Sequence, residues 1–499
     1  MRIHTILFIA LITLSTFNAY AMHTEKSAQE DNILYFDMLP TEIHATIVAC
    51  CCPKTKNILM RANHYWNYFA SQQNYDVILL KSPLVLSPKD QTHYLKRCIL
   101  ENKFDIFKNL IRNGANPNIT TLGPSLLYYA ITKHRTKIAK LLIEETDIDV
   151  NKGGEGNNNS VPLYIAAQEG CTEIVQSLLT HKKIDTTITF RDGFSPCYVA
   201  AQRGNAAIIK ILLDYDETFL NKACINGSTP LYIAAQEGNT EVIELLLTYK
   251  AINANSRFRR GLTPIYVAAR NGHSQAVKLF LNHQGVLVDT TDEDGSTPLY
   301  TAAQNGHDKI VALLLADSRT NPNPSFLGGY TALYVAVQNG HTRTVRTLLT
   351  HPDLDINKIA PNGATPLHIA VQRNHTELVK MLLAHPDIKV NKECDEYSPL
   401  YTATHKGHID IMTLLIKYDE NSVNIQSKIK RDTPLHAACS AGHSDAVFIL
   451  LTVPHININT LNNDGETPLD LALKNNHIKI IELLISNGCL SGKDIREKK

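Results

Sequence analysis

The sequence lacks an excess of charge of either sign. Lys and Arg total 49 and Asp and Glu total 48 among 499 residues, so the overall charge favours neither nucleic acid nor an acidic membrane surface. It also lacks the H-E-x-x-H motif, the phosphate-binding G-x-x-x-x-G-K-[ST] motif and paired C-x-x-C motifs. We therefore expect a chain that is not an enzyme, has no cofactor or metal, and does not bind nucleic acid.

The sequence has no apolar run long enough to cross a bilayer as a mature helix, and this includes its apolar N-terminal stretch. Arg2 precedes an apolar stretch over residues 5–17, and Ala19, Tyr20 and Ala21 fit a cleavage site. This order is typical of a secretory signal peptide, here residues 1–21. We expect export to a periplasm or the cell exterior, or delivery to a host cytoplasm if the protein is an effector, with no membrane segment in the mature chain.

Ten cysteines are present, but they do not form a regular framework. In the repeating pattern described below, Cys98 and Cys439 fall at the alanine positions of the first helix, and Cys197 falls at the leucine position after Pro196. Scattered cysteines of this kind usually act as small apolar side chains in a core. The redox state that an exported chain would give them stays open.

One phrase recurs through most of the chain, and in residues 228–247 it reads STPLYIAAQEGNTEVIELLL. Its proline position recurs every 33 to 35 residues, with alanine once. The positions are Pro162, Pro196, Pro230, Pro264, Pro298, Ala332, Pro366, Pro399, Pro434 and Pro468. Such a period predicts a solenoid of stacked supersecondary units.

Each part of the phrase has a physical reason. Thr229 is a good helix N-cap, Pro230 suits the first helical position, and Gly238 can end the helix in a left-handed conformation. The apolar residues of 242–247 then form the face of a second helix. Polar stretches that mostly end in Asp-Gly, Asn-Gly or Gly-Gly supply the turn into the next unit.

These residues resemble the ankyrin repeat, whose signature is T-P-L-H-x-A-A, a glycine, a leucine-rich second helix and a hairpin. The resemblance implies an all-α fold with short β-hairpin loops, an ankyrin-repeat solenoid of stacked helix pairs. It covers about twelve repeats over residues 94–499, weak in 94–160 and clear in 161–499. Tyrosine replaces the histidine of the signature in eight repeats, and only His368 and His436 keep it.

The resemblance also implies that a partner protein contacts the ends of the first helices and the hairpin tips. The polar residues before the helix-ending glycine are therefore the candidate contacts. They are Gln168, Glu169, Gln202, Arg203, Gln236, Glu237, Arg270, Asn271, Gln304, Asn305, Gln338, Asn339, Gln372 and Arg373. Phe258 and Arg259 at one hairpin tip are the best anchor candidates, because aromatic and arginine side chains dominate interface hot spots. For any single residue, a solvated helix face is the alternative.

Residues 34–75 resemble an F-box, a small helical module preceding the repeats. The matching residues include Leu39, Pro40, Ile43, Ile47, Leu59 and Trp66. The resemblance implies docking on a Skp1-type adaptor of a ubiquitin ligase, with the repeats selecting the protein to be modified. The alternative is that this module only caps the open end of the solenoid.

The remaining segments complete the expected organisation. Residues 76–93 are expected to form a linker. At the far end, Asp470, a missing glycine and the sequence KDIREKK indicate a polar closing repeat. We expect a monomer that binds one partner protein, whose identity the sequence does not name.

Overall fold

The structure is a computed structural model, and it describes residues 88–118, 124–154, 160–392 and 397–497. The predicted signal peptide and the F-box-like segment, with Leu39, Pro40, Ile43, Ile47, Leu59 and Trp66, lie outside the described residues. The chain divides into two compact units, of which the second comprises Ser87–Ile111 and Asn116–Lys499. The description that follows concerns this second unit.

Twelve helix pairs follow one another in the described residues, and a short helix follows the last pair. The helices are α1 (Pro88–Glu101), α2 (Phe104–Arg112), α3 (Leu126–Thr132), α4 (Thr136–Glu145), α5 (Pro162–Gln168), α6 (Thr172–Thr180), α7 (Pro196–Arg203), α8 (Ala206–Tyr215), α9 (Pro230–Glu237), α10 (Thr240–Leu247), α11 (Pro264–Asn271), α12 (Ser274–Asn282), α13 (Pro298–Gln304), α14 (Asp308–Leu315), α15 (Ala332–Gln338), α16 (Thr342–Leu348), α17 (Pro366–Gln372), α18 (Thr376–Leu383), α19 (Pro399–Lys406), α20 (Ile409–Tyr418), α21 (Pro434–Ala441), α22 (Ser444–Leu451), α23 (Pro468–Lys474), α24 (Ile478–Ser486) and α25 (Gly492–Glu497). Two 3₁₀ turns, Glu217–Asn221 and Glu420–Asn424, extend the loops after α8 and α20.

In most of the clear repeats, the first helix begins and ends as its sequence predicts. In α9 the hydroxyl of Thr229 accepts a hydrogen bond from the N–H of Tyr232 at 3.2 Å, and Pro230 occupies the first turn. Gly238 ends the helix with φ of 75°, a left-handed conformation that costs glycine no steric strain. These local signals fix where the first helix of the repeat begins and ends.

The core lies between successive repeats. Leu231, Ala234 and Ala235 of α9 have no exposed surface, and neither do Val242 and Ile243 of α10. First helices pack on first helices and second helices on second helices of the neighbouring repeats. Each pair therefore buries its apolar surface against its neighbours, as a solenoid requires.

Short hairpins connect some of the repeats. β1 (Ser325–Phe326) pairs antiparallel with β2 (Tyr330–Thr331). Single antiparallel bridges join Phe190 to Phe194 and Phe258 to Leu262 in two other loops. The all-α fold with short β-hairpin loops is thus confirmed.

A column of asparagines ties most of the loops to the next one. Asn255 donates its amide N–H to the carbonyl of Gly285 at 2.8 Å, and its side-chain oxygen accepts from the N–H of Leu287 at 2.9 Å. Six other asparagines make the same two bonds, namely Asn118, Asn151, Asn221, Asn323, Asn357 and Asn424. The loops are therefore held in register by side-chain amides.

The two ends of the array differ from expectation. α1 begins at Pro88, within the residues 76–93 that were expected to form a linker. The closing repeat is less polar than its sequence suggested, because Leu473, Ile478 and Ile485 are 48%, 68% and 59% exposed. Asp470 instead accepts N–H bonds from Thr467 and Gly492, both at 2.8 Å, and so fixes the start of α25.

Cysteines in the described residues are mostly buried. Cys98, Cys197, Cys224, Cys439 and Cys489 are at most 7% exposed, and Cys171 is half-buried. This burial supports their interpretation as apolar side chains of the core. The described helices are also too short or too polar for any of them to span a bilayer.

Candidate protein-binding surface

The candidate contacts form what we call the helix-end stripe, the two polar residues at the end of each first helix from α5 to α17. Ten of its fourteen side chains are exposed and four are half-buried. The half-buried ones are Gln168, Glu169, Gln236 and Gln338. Since each first helix packs on the next, these residues follow one another on a single surface.

The arginines of the stripe are available for a partner. Arg203, Arg270 and Arg373 are exposed, and no carboxylate of the described residues lies within 4.0 Å of them. A guanidinium presents several donors in a fixed plane, which suits carboxylates and carbonyls of another protein. These three side chains are the cationic members of the stripe.

In each of two repeats, the glutamine of the stripe forms a hydrogen bond with the glutamate that follows it. The amide of Gln168 donates to Glu169 at 3.2 Å, and that of Gln236 donates to Glu237 at 3.1 Å. Each bond joins adjacent residues at the surface and uses one of the two amide hydrogens. Both pairs therefore keep donors and acceptors for a partner.

The asparagines of the stripe have an internal role that the sequence did not reveal. Asn271 donates its amide to the carbonyl of Gln236 at 2.9 Å, and Asn339 donates to the carbonyl of Gln304 at 2.8 Å. Asn305 similarly bonds the carbonyls of Arg270 and Thr301. These three side chains satisfy helix-end carbonyls, so we regard them primarily as structural ties.

The histidines after the helix-ending residue reinforce these ties. The Nε2 atom of His273 lies 2.9 Å from the carbonyl oxygen of Gln236, and that of His341 lies 3.0 Å from that of Gln304. Four more do the same across their repeat boundaries, namely His307, His375, His443 and His477. In the described part of the chain, no three His, Cys, Asp or Glu side chains are grouped as metal ligands would be.

Phe258, the candidate anchor, packs against side chains of its own array. Its ring is half-buried and lies on Tyr232, with centroids 4.7 Å apart. The guanidinium of Arg259 covers the ring of Phe258 at 5.6 Å from its centroid. The aromatic ring therefore supports the hairpin, while Arg259 remains exposed at the tip.

The tyrosines that replace the signature histidine alternate between two arrangements. Three of them, two repeats apart, stack on a hairpin phenylalanine. These pairs are Tyr164 with Phe190, Tyr232 with Phe258 and Tyr300 with Phe326, at 4.9, 4.7 and 4.9 Å between centroids. The tyrosines of the other repeats differ: Tyr198 contacts Phe194 of the hairpin before its own helix, at 4.8 Å between centroids. Tyr266 donates its hydroxyl to Asp292 at 3.1 Å, and Tyr334 accepts from the amide of Asn362 at 3.1 Å. The array therefore has a two-repeat period in this region.

Burial disfavours the ionised form of the stacked tyrosines. It raises the pKa of Tyr164, Tyr232 and Tyr300 to about 12. Their hydroxyls thus stay protonated at neutral pH and carry no charge into this surface. The recurrence of Phe190, Phe258 and Phe326 every 68 residues is the sequence signal that would have revealed this period.

The helical pairs, the hairpins and the conserved phase of the repeats agree with a known family. The family model for ankyrin repeats (3 copies) matches residues 95–190, 183–258, 250–326, 333–428 and 400–498. The chain belongs to the ankyrin-repeat family. Its repeats therefore provide a scaffold of the kind used for protein–protein interaction.

Several curated proteins are similar to parts of this chain. Alpha-latrocrustotoxin-Lt1a of Latrodectus tredecimguttatus is 33% identical over 99 residues, which are 19% of this chain and 7% of the toxin. The NAD-dependent deacetylase sir2B of Dictyostelium discoideum is 34% identical over 90 residues, 18% of this chain and 11% of the deacetylase. The human palmitoyltransferase ZDHHC13 is 40% identical over 88 residues, 17% of this chain and 14% of the transferase.

These similarities are limited to ankyrin repeats. The chain spans at most 14% of the length of these three relatives. The names of the two enzymes therefore describe those proteins and assign no reaction to this chain.

Proposed function

We propose that this chain binds a partner protein through the helix-end stripe, without catalysing a reaction. The observation that supports this most is the exposure of Arg203, Arg270 and Arg373 with no intramolecular ion pair in the described residues. Charged and amide groups beside them offer donors and acceptors on one continuous surface, as a polar protein interface requires. Gln202, Gln304 and Gln372 are exposed on the same stripe.

A capture experiment tests this function. The full chain and the variant Gln202→Ala/Gln304→Ala/Gln372→Ala are immobilised, and bound proteins are identified by mass spectrometry and confirmed with purified candidates. We expect a specific partner whose affinity falls at least tenfold in the variant, since hot-spot truncations each cost more than about 1 kcal/mol. A purified partner that binds both forms equally would contradict the role of the stripe.

We further propose that residues 34–75 act as an F-box-like adaptor, so that a protein held by the repeats is presented to a ubiquitin ligase. The order Leu39, Pro40, Ile43 and Trp66 in the sequence supports this proposal. Purified Skp1 should bind the full chain, and Leu39→Ala/Pro40→Ala should abolish that binding. Binding that the substitution leaves unchanged would remove the adaptor role.

Localisation remains part of the proposal. We infer that residues 1–21 direct export and are removed, with a periplasmic, secreted or host-cytoplasmic destination and no membrane segment in the mature chain. N-terminal sequencing of the mature protein should give Met22 as the first residue. If the module is only a solenoid cap, deleting residues 22–75 lowers stability and solubility, whereas deleting an adaptor leaves partner binding and stability intact.

A further inference from the structure

Four consecutive repeats carry alternating charges on the helix-end stripe. Glu169 follows α5, Arg203 ends α7, Glu237 ends α9 and Arg270 lies in the last turn of α11. We call these four residues the charge ladder. Its members lie in successive repeats, so the two arginines are separated by two repeats. Arg270 lies one residue earlier in its repeat than the other three members, at the position equivalent to Gln236.

Most charges of the ladder form no ion pair with another described residue of the chain. Arg203, Glu237 and Arg270 are exposed and form no ion pair within 4.0 Å among the described residues. Glu169 is half-buried and lies 3.6 Å from the Nε2 atom of His134, which is charged only when protonated. The ladder therefore presents its charges to solvent or to a partner.

The hairpins before the two arginine repeats add further positive charge near Arg203 and Arg270. The two arginine repeats are preceded by hairpins in which Arg191 and Arg259 lie over phenylalanine rings, at 5.2 and 5.6 Å from the centroids. The hairpin between them instead presents Ile225, which is 79% exposed. Each arginine repeat thus has cations at both its helix end and its hairpin tip, whereas the intervening Glu237 repeat does not.

The spacing of the ladder matches an extended polypeptide. Packed helices lie about 8–10 Å apart, which sets the distance from one rung to the next. A polyproline II chain rises about 3.1 Å per residue with three residues per turn, so every third side chain points the same way after about 9 Å. Every third residue of such a chain would therefore face one charged residue of the ladder.

We propose that the charge ladder binds an extended polypeptide segment in which acidic and basic side chains alternate at every third residue. The acidic residues pair with Arg203 and Arg270, and a basic residue between them pairs with Glu237. This proposal rests on the proposed function and defines the chemical class of the partner segment.

A purely structural role is the competing explanation. Alternation avoids like-charge repulsion between neighbouring repeats, and solvated charges need no partner. In that case, reversing both arginines lowers stability and leaves peptide selection unchanged. The two explanations therefore differ in a measurable way.

The test is a selection of peptides by the full chain. A phage library of random 12-residue peptides is panned on the parent, on Arg203→Glu/Arg270→Glu, and on the matched control Arg343→Glu/Arg346→Glu, whose arginines are exposed on α16. Thermal unfolding of each protein verifies its fold. Dissociation constants of enriched synthetic peptides are then measured by fluorescence anisotropy.

We expect the parent and the control to enrich peptides with acidic residues six positions apart and a basic residue midway. The reversed variant should bind these peptides about tenfold more weakly, because each exposed pair contributes roughly two- to fivefold. It should instead select basic residues at the acidic positions.

Two results would overturn the inference. One is enrichment of peptides without this pattern, or with a pattern that the double reversal does not change. If such peptides lose binding in Gln202→Ala/Gln304→Ala/Gln372→Ala, the stripe still binds protein and only the ladder fails. The other is that no peptide is enriched by any of the three proteins.

Discussion

At the scale of single residues, the buried histidine of α17 shows how one position departs from its repeats. His368 is 5% exposed, and its Nδ1 atom lies 2.8 Å from the hydroxyl of Thr365 and 3.3 Å from its backbone nitrogen. Burial lowers the pKa of His368 to about 4. Tyrosine occupies the same position in Tyr334 and Tyr401. His368 can therefore gain a proton in acidic solution, whereas a tyrosine at this position would stay neutral.

We predict that His368→Tyr makes the array less sensitive to acid. Because the pKa of the folded state lies below the unfolded value of 6.5, the neutral histidine contributes stability above pH 6.5 that is lost as the pH falls toward 4. At pH 5 the parent should have lost about 2 kcal/mol from this residue, and His368→Tyr should lose correspondingly less. Urea unfolding at pH 7.5 and pH 5 measures the difference, and an identical pH dependence in both proteins would contradict the assignment.

Asp289 occupies a position at which the asparagine column is interrupted. Asp289 stands where neighbouring repeats have Asn255 and Asn323. Its Oδ2 atom accepts from the N–H of Asn321 at 2.6 Å, but its Oδ1 atom is buried without a partner. Burial raises the pKa of Asp289. An amide at this position has the donor that the carboxylate lacks.

We predict that Asp289→Asn raises the free energy of unfolding by about 1 kcal/mol at pH 7, the usual contribution of one hydrogen bond. The raised pKa means that the protonated carboxyl stabilises the parent below the unfolded value of 3.8, and that this contribution is lost as pH rises through the folded value. The advantage of the variant should therefore grow from acidic to neutral pH. Asn255→Asp is the converse control and should destabilise, and no gain from Asp289→Asn in urea unfolding at pH 7 would refute this account.

At the scale of elements, the helix bounds could be predicted from the sequence, whereas the side-chain contacts between neighbouring repeats could not. The Thr-Pro start and the glycine end of α9 are local signals, so its bounds follow from Thr229, Pro230 and Gly238. The roles of Asn271 and Phe258 depend on the neighbouring repeat, which contributes the carbonyl of Gln236 and the ring of Tyr232. Contacts between residues about 26 to 35 positions apart cannot be assigned from local pattern alone.

The hairpin before α11 gives a prediction about Phe258. We expect Phe258→Ala to lower the free energy of unfolding by about 2–3 kcal/mol, because it removes half-buried aromatic surface and the stack on Tyr232. Arg259→Gln at the same tip should change stability by less than about 0.5 kcal/mol. Urea unfolding of both variants makes the comparison. If Phe258→Ala leaves the free energy of unfolding unchanged, the ring does not stabilise the hairpin and is instead a candidate contact for a partner.

At the scale of the repeat array, the outer face of the last repeat is incompletely covered. The positions equivalent to Leu473 hold Val337 and Val371 in earlier repeats, where both are fully buried, yet Leu473 is 48% exposed. Ile478 is 68% exposed at a position that is Ser444 in the preceding repeat. An apolar terminal face of this kind favours self-association at high concentration.

We predict that Ile478→Thr reduces light scattering at high protein concentration while changing stability by less than about 0.5 kcal/mol, because the side chain is already in solvent. Ile480→Thr on the same helix is the matched control, since Ile480 is 1% exposed. It should destabilise the protein by about 2 kcal/mol or more through a buried hydroxyl. Equal scattering by the parent and Ile478→Thr would show that this face does not drive association.

The most direct test of the central claim is hydrogen–deuterium exchange of the chain with and without its captured partner. The account predicts slower exchange in the partner complex at the ends of α7, α9, α11 and α13 and in the hairpins between them, with α8, α10 and α12 unchanged. Protection confined to those second helices, or to residues 1–87, would contradict binding through the helix-end stripe.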